Sequence, residues 1–379
     1  MNASSAHTAR LTDARRVVVK IGSSLLIRAA DGKLNREWLE SLAGELAVMI
    51  ANGQEVVLVS SGAIALGRAY LEMQPGQRRL EEHQAAAAAG QVLLAHAYQE
   101  LMGAHGIKVA QVLLTPEDTE HRRRYLNARN TLETLLGLGA LPVVNENDTV
   151  ATQEIRYGDN DRLGARVAEM VSADCLVLLS DVDGLYDSDP TANSSAELIA
   201  EVREITPELV ALAGKSRTAY GSGGMATKLA AARICMSAGC ATLIANGHRM
   251  EPLTAVRAGN PCTWFVPTST PLAARKQWIA GTLTPAGRLV IDAGAEQALR
   301  KGGSLLPVGV QAVEGTFDRG DAVVISIGNG RDIAHGLTAY GSREAQLILG
   351  CHSQEIEEQL GYRGDDELVH RDNLVLLDV

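Results

Sequence analysis

The segment RVVVKIG, residues 16–22, decides the fold class, because three consecutive valines followed by polar and small residues are typical of a strand buried on both faces. Four other short segments share this pattern of an apolar run that ends in small or polar residues. They are EVVLVSSG (55–62), LPVVNEND (141–148), DCLVLLSD (174–181) and ATLIANG (241–247). Such strands occur in parallel sheets covered by helices, so the sequence predicts an α/β fold with a mainly parallel sheet.

Helical segments alternate with these strands. Leu39, Leu42 and Leu46 recur at three- and four-residue spacing before Gly53, which predicts an amphipathic helix that ends at the glycine. Residues 80–102 predict a second helix, in which the alanine run at 85–89 indicates a close-packing face.

The sequence pattern changes near residue 270. Three prolines in PTSTPLAARKQWIAGTLTPAG (267–287) precede shorter apolar runs such as RLVID (288–292) and DAVVIS (321–326), which predicts a domain boundary. The predicted organisation has five parts: a flexible N-terminal tail over 1–15, a main domain over 16–270, a linker over 271–284, a small domain over 285–365 and a C-terminal tail over 366–379.

The composition favours a globular protein that binds phosphate only locally. The 379 residues are 46% hydrophobic and 21% charged, and their net charge of −10 disfavours a protein whose main partner is a nucleic acid. Residues 285–379 contribute −7 of that charge through 8 Lys+Arg and 15 Asp+Glu. The five cysteines show neither zinc-ligand spacing nor a disulfide framework. Without a signal peptide or a membrane-spanning apolar run, we expect a cytoplasmic protein with no membrane partner.

Two segments are suited to binding an anion. Lys20 ends the first predicted strand, and Gly22-Ser23-Ser24 follows with small residues whose backbone amides can approach a phosphate. The segment YGSGGMATK (220–228) precedes a helical stretch, and the N-terminus of a helix attracts anions. It lacks the G-K-[ST] of a Walker A loop. It partly fits the G-x-G-x-x-A of a dinucleotide fold, without the acidic residue about 20 positions later that would bind a ribose.

Polar clusters stand where strands are predicted to end, which is where ligands bind in an open parallel sheet. They are Ser60-Ser61-Gly62, Asn145-Glu146-Asn147-Asp148 and, shortly afterwards, Gly158-Asp159-Asn160-Asp161. The serines lack the G-x-S-x-G frame of a hydrolase, so we interpret them as hydrogen-bonding groups. The other two clusters do not fit an EF-hand loop and are either solvated turns or a polar substrate pocket, which their position favours.

Taken together, the motifs of this chain occur in the order typical of the amino acid kinase family, which it resembles. The motifs are VVVKIGSS, VSSGAIALG, VVNEND, YGDNDRLGA, LLSDVDGLY and SGGMATK. The C-terminal part, with GGSLLPVGV, GRDIAHGL and HSQEI, resembles a PUA domain. The resemblance covers essentially the whole chain. It implies a three-layer αβα sandwich around a mainly parallel sheet, followed by a small, mostly-β PUA-like domain.

Within the amino acid kinase family, the chain resembles most closely the members that phosphorylate glutamate. It implies that ATP phosphorylates the side-chain carboxylate of L-glutamate to L-glutamyl 5-phosphate, the first step of proline biosynthesis. A carboxyl group with an ordinary pKa of about 4.3 is already ionised at neutral pH, so this nucleophile needs no general base. Catalysis would consist of alignment and of neutralising charge on the phosphoryl oxygens.

The resemblance also implies a role for each site residue. Lys20 and Lys228 would be catalytic, with Asp161 orienting them. The glutamate-binding positions are Ser61, Asp148 and Asn160. The nucleotide-binding positions are Lys20, Ser180, Asp181, Ser222, Gly223, Gly224, Met225, Ala226, Thr227 and Lys228. Mg²⁺ would arrive on the phosphates of the co-substrate ATP, without dedicated protein ligands.

By the same resemblance we expect feedback inhibition by proline, a homo-oligomer (dimer or tetramer) and handover of the product to a glutamyl phosphate reductase. Two alternatives remain open. One is another member of the family, acting on aspartate or N-acetylglutamate, against which the PUA-like domain argues. The other is an RNA-binding role through that domain, which its charge of −7 disfavours.

Overall fold

Strand β1 (Arg16–Ile21) lies inside the main sheet, as its run of valines predicts. The computed structural model describes residues 9–74, 76, 79–150, 160–190, 193–213, 224–281 and 285–377. Within them the sheet has seven further strands: β2 (Glu55–Val59), β3 (Lys108–Leu114), β4 (Ala140–Glu146), β5 (Cys175–Ser180), β6 (Glu201–Val202), β7 (Ala241–Asn246) and β8 (Cys262–Phe265). The order across the sheet is β3-β4-β2-β1-β5-β7-β8-β6. Neighbouring strands are parallel except for β7 and β8.

Helices cover both faces of this sheet. They are α1 (Ser23–Leu26), α2 (Arg36–Ala51), α3 (Ala63–Tyr70), α4 (Leu80–Gly103), α5 (Pro116–Glu120), α6 (Arg122–Gly137), α7 (Asn160–Met170), α8 (Pro207–Ala213), α9 (Met225–Ser237) and α10 (Pro252–Arg257). Val17 and Val19 of β1 share a core with α2, α4 and α10, whereas Val18 shares the opposite core with α6, α7 and α9. Alternate residues of a strand point to opposite faces, so each face buries its own core. The predicted three-layer αβα sandwich is confirmed.

Most of the predicted elements are confirmed. The five strand segments form β1, β2, β4, β5 and β7, and the two helical segments form α2 and α4. The alanine run packs closely as predicted, because Ala86 and Ala87 are buried. Next to them the backbones of α3 and α4 touch, and a Cβ atom on Gly90 would lie 1.8 Å from the carbonyl oxygen of Ala63. Strands β3, β6 and β8 were not predicted, since β3 is a half-exposed edge strand and the other two are short.

The N-terminal segment differs from the flexible tail predicted over 1–15. Residues 9–13 are helical, and Leu11 is fully buried. The Gln54 side-chain amide donates hydrogen bonds of 3.0 Å to the carbonyl of Leu11 and 2.6 Å to that of Ala14. One leucine among polar residues is too weak a pattern to predict this packing.

The chain divides into two units, Met1–Pro271 and Leu272–Val379. In the described residues the second unit has a five-stranded sheet of β9 (Gly287–Ile291), β10 (Val310–Gly315), β11 (Ala322–Ile327), β12 (Asp332–Leu337) and β13 (Leu374–Leu376), in the order β10-β9-β11-β12-β13. Its helices are α11 (Pro271–Gly281), α12 (Ala293–Arg300), α13 (Ser342–Leu347) and α14 (Ile356–Leu360). The predicted mostly-β architecture is confirmed. None of the helices in the described ranges is long and apolar enough to cross a membrane.

Two segments predicted to flank the small domain contribute to its structure. The predicted linker, 271–284, contains α11, whose Ile279 is buried together with Ala322. The proline at its start does not prevent a helix, because proline is tolerated in the first helical turn. The predicted tail, 366–379, contributes the fully buried Leu368 and strand β13, which pairs with β12.

Candidate active site

Lys20 lies on the face of β1 that is covered by α7 and α9. Side chains alternate along a strand, so Lys20 shares that face with Val18. It pairs with Val59 of β2 on one side and with Leu178 of β5 on the other. The residue is only 7% exposed. A buried ammonium group at this place needs a partner of opposite charge.

Three charged side chains from three separate elements meet here. Lys20 Nζ lies 2.5 Å from Asp161 Oδ1, and Lys228 Nζ lies 3.0 Å from Asp161 Oδ2. Asp161 is fully buried and Lys228 is 7% exposed. The structure therefore brings together the three residues predicted to be catalytic, and their roles remain a prediction.

The electrostatics of this cluster favour an anion. Burial alone would raise the pKa of Asp161, but the ammonium groups of Lys20 and Lys228 outweigh it and hold that pKa well below its usual range. One carboxylate between two lysines leaves a net positive charge. Asp161 and Lys228 also stand near the starts of α7 and α9, where the helix dipoles add partial positive charge. The arrangement is suited to stabilising a phosphoryl group.

A second polar cluster surrounds Asn160, the residue before Asp161. Its side-chain amide nitrogen lies 2.9 Å from Ser61 Oγ, 2.5 Å from the carbonyl oxygen of Ser60 and 3.0 Å from Asn145 Oδ1. These partners stand at the carboxyl ends of β2 and β4, which the parallel sheet places at one edge. Ser61 and Asn160, both predicted to bind glutamate, are therefore in direct contact.

Asp148, the third predicted glutamate-binding residue, follows β4 and is half-buried. None of the hydrogen bonds between described residues joins it to Ser61 or Asn160. Burial raises the pKa of Asp148 to about 6. A cation beside this carboxylate would stabilise its ionised form and lower the pKa again, and the same attraction would hold the cation at Asp148.

The predicted nucleotide-binding residues are described only in part. Ser222 and Gly223 lie outside the described residues. The N-cap and first turn of α9 hold the rest of that loop: Gly224, Met225, Ala226, Thr227 and Lys228. The Thr227 hydroxyl lies 3.0 Å from Asp161 Oδ2, so this residue touches the lysine cluster. Ser180 ends β5 and donates a hydrogen bond of 3.0 Å to Asp181.

Sequence reasoning missed a polar cluster after β5 and β7. Asp183 accepts a hydrogen bond of 3.2 Å from the Asn246 amide, and the Arg249 guanidinium lies 3.8 Å from the same carboxylate. The cluster adjoins Ser180, whose carbonyl accepts a 2.7 Å hydrogen bond from the backbone of Gly247. The sequence could have indicated this cluster, because its residues lie at or directly after the ends of the strand motifs 174–181 and 241–247.

The acidic groups of the site do not form a metal centre in the part of the chain that is described. There, no three His, Cys, Asp or Glu side chains lie close enough together to hold a metal ion. Both oxygens of Asp161 already face ammonium groups. The expectation that Mg²⁺ is held by the phosphates of a nucleotide remains a prediction.

Comparison with known proteins identifies relatives over nearly the whole chain. The model of the Amino acid kinase family matches residues 15–246, and that of the PUA domain matches residues 287–360. Glutamate 5-kinase from Paramagnetospirillum magneticum is 58% identical over 366 residues, which cover 97% of this chain and 99% of that protein. Glutamate 5-kinase from Rhodospirillum rubrum is 56% identical over 359 residues, which cover 95% and 96%. Among solved structures, carbamate kinase from Giardia lamblia bound to AMP-PNP is 18% identical with a TM-score of 0.48, over 68% of this chain and 99% of that chain.

Proposed function

The chain belongs to the amino acid kinase family, and on this premise we propose that it transfers the γ-phosphoryl group of ATP to the side-chain carboxylate of L-glutamate. The products would be L-glutamyl 5-phosphate and ADP. Support comes from the likeness to two proteins named Glutamate 5-kinase over nearly the whole of each chain. The observation that carries the proposal is the cluster of Lys20, Asp161 and Lys228, which offers positive charge for a transferred phosphoryl group.

The proposed reaction is an in-line displacement at phosphorus. An oxygen of the glutamate side chain forms a bond to the γ-phosphorus while the bond to the β–γ bridging oxygen breaks, and that electron pair leaves with ADP. The carboxylate is ionised at neutral pH, so no proton has to be removed. Lys20 and Lys228 would neutralise charge on the phosphoryl oxygens, and Asp161 would hold both ammonium groups in place.

The substrate would lie at the ends of β2 and β4. Ser61 and Asn160 offer polar groups to a carboxylate or an amine, and the Asp148 carboxylate would pair with the free α-ammonium group of glutamate. N-acetylglutamate has no such cation, so this pairing favours glutamate over its acetylated form. Ser180, Asp181 and the start of α9 would bind ATP, whose Mg²⁺ would neutralise phosphate charge.

Further parts of the proposal rest on the family resemblance. We expect the reaction to be the first step of proline biosynthesis, in the cytoplasm, with proline as an inhibitor. We also expect a homo-oligomer and delivery of the unstable acyl phosphate to a glutamyl phosphate reductase.

Trapping the acyl phosphate with hydroxylamine tests the proposal directly. The full chain with Mg·ATP should form hydroxamate from glutamate, and much less from aspartate or N-acetylglutamate. Titrated proline should reduce the yield. Hydroxamate formed without glutamate, or at equal rates from aspartate, would contradict the assignment.

Two variants test the lysines. Lys20→Ala and Lys228→Ala should each lower turnover by about 100-fold or more, the usual effect of removing one group that stabilises a transition-state charge. Lys33→Ala removes an exposed lysine and serves as the control. Full hydroxamate yield from either site variant would show that its lysine has no catalytic role.

A further inference from the structure

Helix α4 reaches the proposed glutamate pocket through two side chains. Gln91 and Tyr98 are seven residues apart, which places them on the same face of the helix two turns apart. Both make hydrogen bonds to residues that in turn contact Asn160. Neither stands in a motif at a strand end.

The contact through Gln91 determines how an asparagine side chain is oriented. Asn145 Oδ1 accepts from the backbone amide of Glu146 at 2.9 Å and from the Asn160 amide at 3.0 Å. With the oxygen used as this double acceptor, the Asn145 amide group must donate on its other side. Gln91 Oε1 lies 2.8 Å away in that direction and accepts the hydrogen bond.

The contact through Tyr98 acts on the neighbouring strand. Its hydroxyl lies 2.8 Å from Ser60 Oγ, and the Ser60 carbonyl lies 2.5 Å from the Asn160 amide nitrogen. Tyr98 is 2% exposed, and burial raises the pKa of its hydroxyl, so it stays protonated. Gln91 therefore orients Asn145, whose Oδ1 is one acceptor beside the Asn160 amide, and Tyr98 contacts Ser60, whose carbonyl is another.

Next to Gln91, the backbone of α4 packs closely against its neighbour. Gly90 packs with its backbone against α3, where a Cβ atom would collide with the carbonyl oxygen of Ala63 at 1.8 Å. Because the two backbones are in contact there, α4 cannot move closer to α3, and this packing supports the position from which Gln91 extends.

We infer that Gln91 is a positioning residue for substrate binding: it fixes the Asn145 side chain, which fixes the Asn160 amide that faces Ser61. The inference rests on the proposed function, because Asn160 is a proposed glutamate-binding residue. Gln91 itself would touch neither substrate nor nucleotide. Its loss should therefore weaken glutamate binding while ATP binding, at the other half of the sheet edge, stays as it is.

Gln91→Met tests this inference, since methionine keeps the length of the side chain and removes the acceptor. The KM for glutamate should rise about five- to tenfold, the size expected for one neutral hydrogen bond, with the KM for ATP nearly unchanged. Gln99→Met, at an exposed position of the same helix, is the matched control and should behave like the unaltered protein. Equal changes in both KM values, or no change in either, would overturn the inference.

A double-variant cycle tests whether Gln91 acts through Asn145. In the background of Asn145→Ala, adding Gln91→Met should have no further effect on the KM for glutamate, because the intermediate group is already absent. Full additivity of the two effects would show that Gln91 acts by another route.

Hydrogen exchange of the substrate-free protein separates this inference from the proposed function. In Gln91→Met the Glu146 amide, which donates to Asn145 Oδ1, should exchange faster, and in Gln99→Met it should not. Unchanged exchange would contradict the role of Gln91. If the unaltered chain formed no hydroxamate, the proposed function would fail, and the exchange measurement would still decide on Gln91.

Discussion

Replacing Asp161 with asparagine removes the negative charge from between two buried ammonium groups. Lys20 Nζ lies 2.5 Å and Lys228 Nζ 3.0 Å from its carboxylate oxygens. At an effective dielectric constant of about 20, each attraction is on the order of 6 kcal/mol before the cost of desolvation is subtracted. Removing one partner from a buried ion pair typically destabilises a protein by about 3–5 kcal/mol. We expect Asp161→Asn to lose about that much unfolding free energy at pH 7.

The pH dependence of this loss follows from the direction of the pKa shift. The pKa of Asp161 is lowered in the folded state, so its stabilising effect is present above the ordinary Asp pKa of about 3.9 and is lost as the pH falls toward the folded-state value. The difference in stability between the two proteins should be constant near neutral pH and should narrow only in acid. Turnover should fall by about 100-fold or more, since neither lysine is then held against a carboxylate.

Urea unfolding at several pH values, together with hydroxamate formation, measures these effects. Asp31→Asn is the matched control, because Asp31 is exposed and pairs with Arg28 at 2.6 Å on the surface. Water screens that pair, so its loss should leave the unfolding midpoint almost unchanged. An Asp161→Asn protein with the stability and turnover of the unaltered chain would refute the electrostatic argument.

Three further predictions concern other parts of the first unit. Gly90→Ala should destabilise the protein by about 1–3 kcal/mol or more, measured by urea unfolding, because the added methyl group would force α3 and α4 apart. Leu11→Ala should lower the unfolding free energy by about 2–5 kcal/mol in the same assay, as expected for a fully buried leucine. The KM for glutamate should rise as the pH falls through about 6, because protonated Asp148 cannot pair with an ammonium group, and Asp148→Asn should abolish this dependence in steady-state kinetics.

Each of these predictions has its own control or contrary result. Gly103→Ala adds the same methyl group on the same helix in open space and should be harmless. Leu138→Ala truncates a leucine that is 73% exposed and should hardly change the unfolding free energy. If Leu11→Ala had an equally small effect, the N-terminal segment would not be part of the core. A pH dependence that survives in Asp148→Asn would assign the titration to another group.

The continuous apolar runs predicted the sheet, and the polar motifs that follow them predicted where the site lies on it. The structure adds which face each residue occupies: Val17 and Val19 lie in one core, and Val18 lies in the opposite core. The same alternation puts Lys20 on the face covered by α7 and α9. The clusters at strand ends marked Ser61 and Asn160, because parallel strands end at one edge. These inferences needed only local pattern and topology.

The contacts between distant segments could not be predicted in this way. The distance from Lys228 to Asp161, or from Gln91 to Asn145, depends on how helices pack on the sheet, and no local pattern specifies that. The contribution of residues 271–284 and 366–377 to the second unit could not be predicted for a related reason. Prolines and charges near its ends are typical of linkers and tails, while Ile279 and Leu368 are buried through contacts far along the chain.

The extent of the second unit affects how it could be inherited. The PUA domain model covers residues 287–360, yet α11 precedes that range and β13 follows it, and both pack on the same sheet. A recombination event that exchanged only the matched range would leave behind a helix and an edge strand that had been shaped for the original partner. We therefore expect a unit of genetic exchange that preserves this packing to include both α11 and β13, with one breakpoint in the short stretch between β8 and α11.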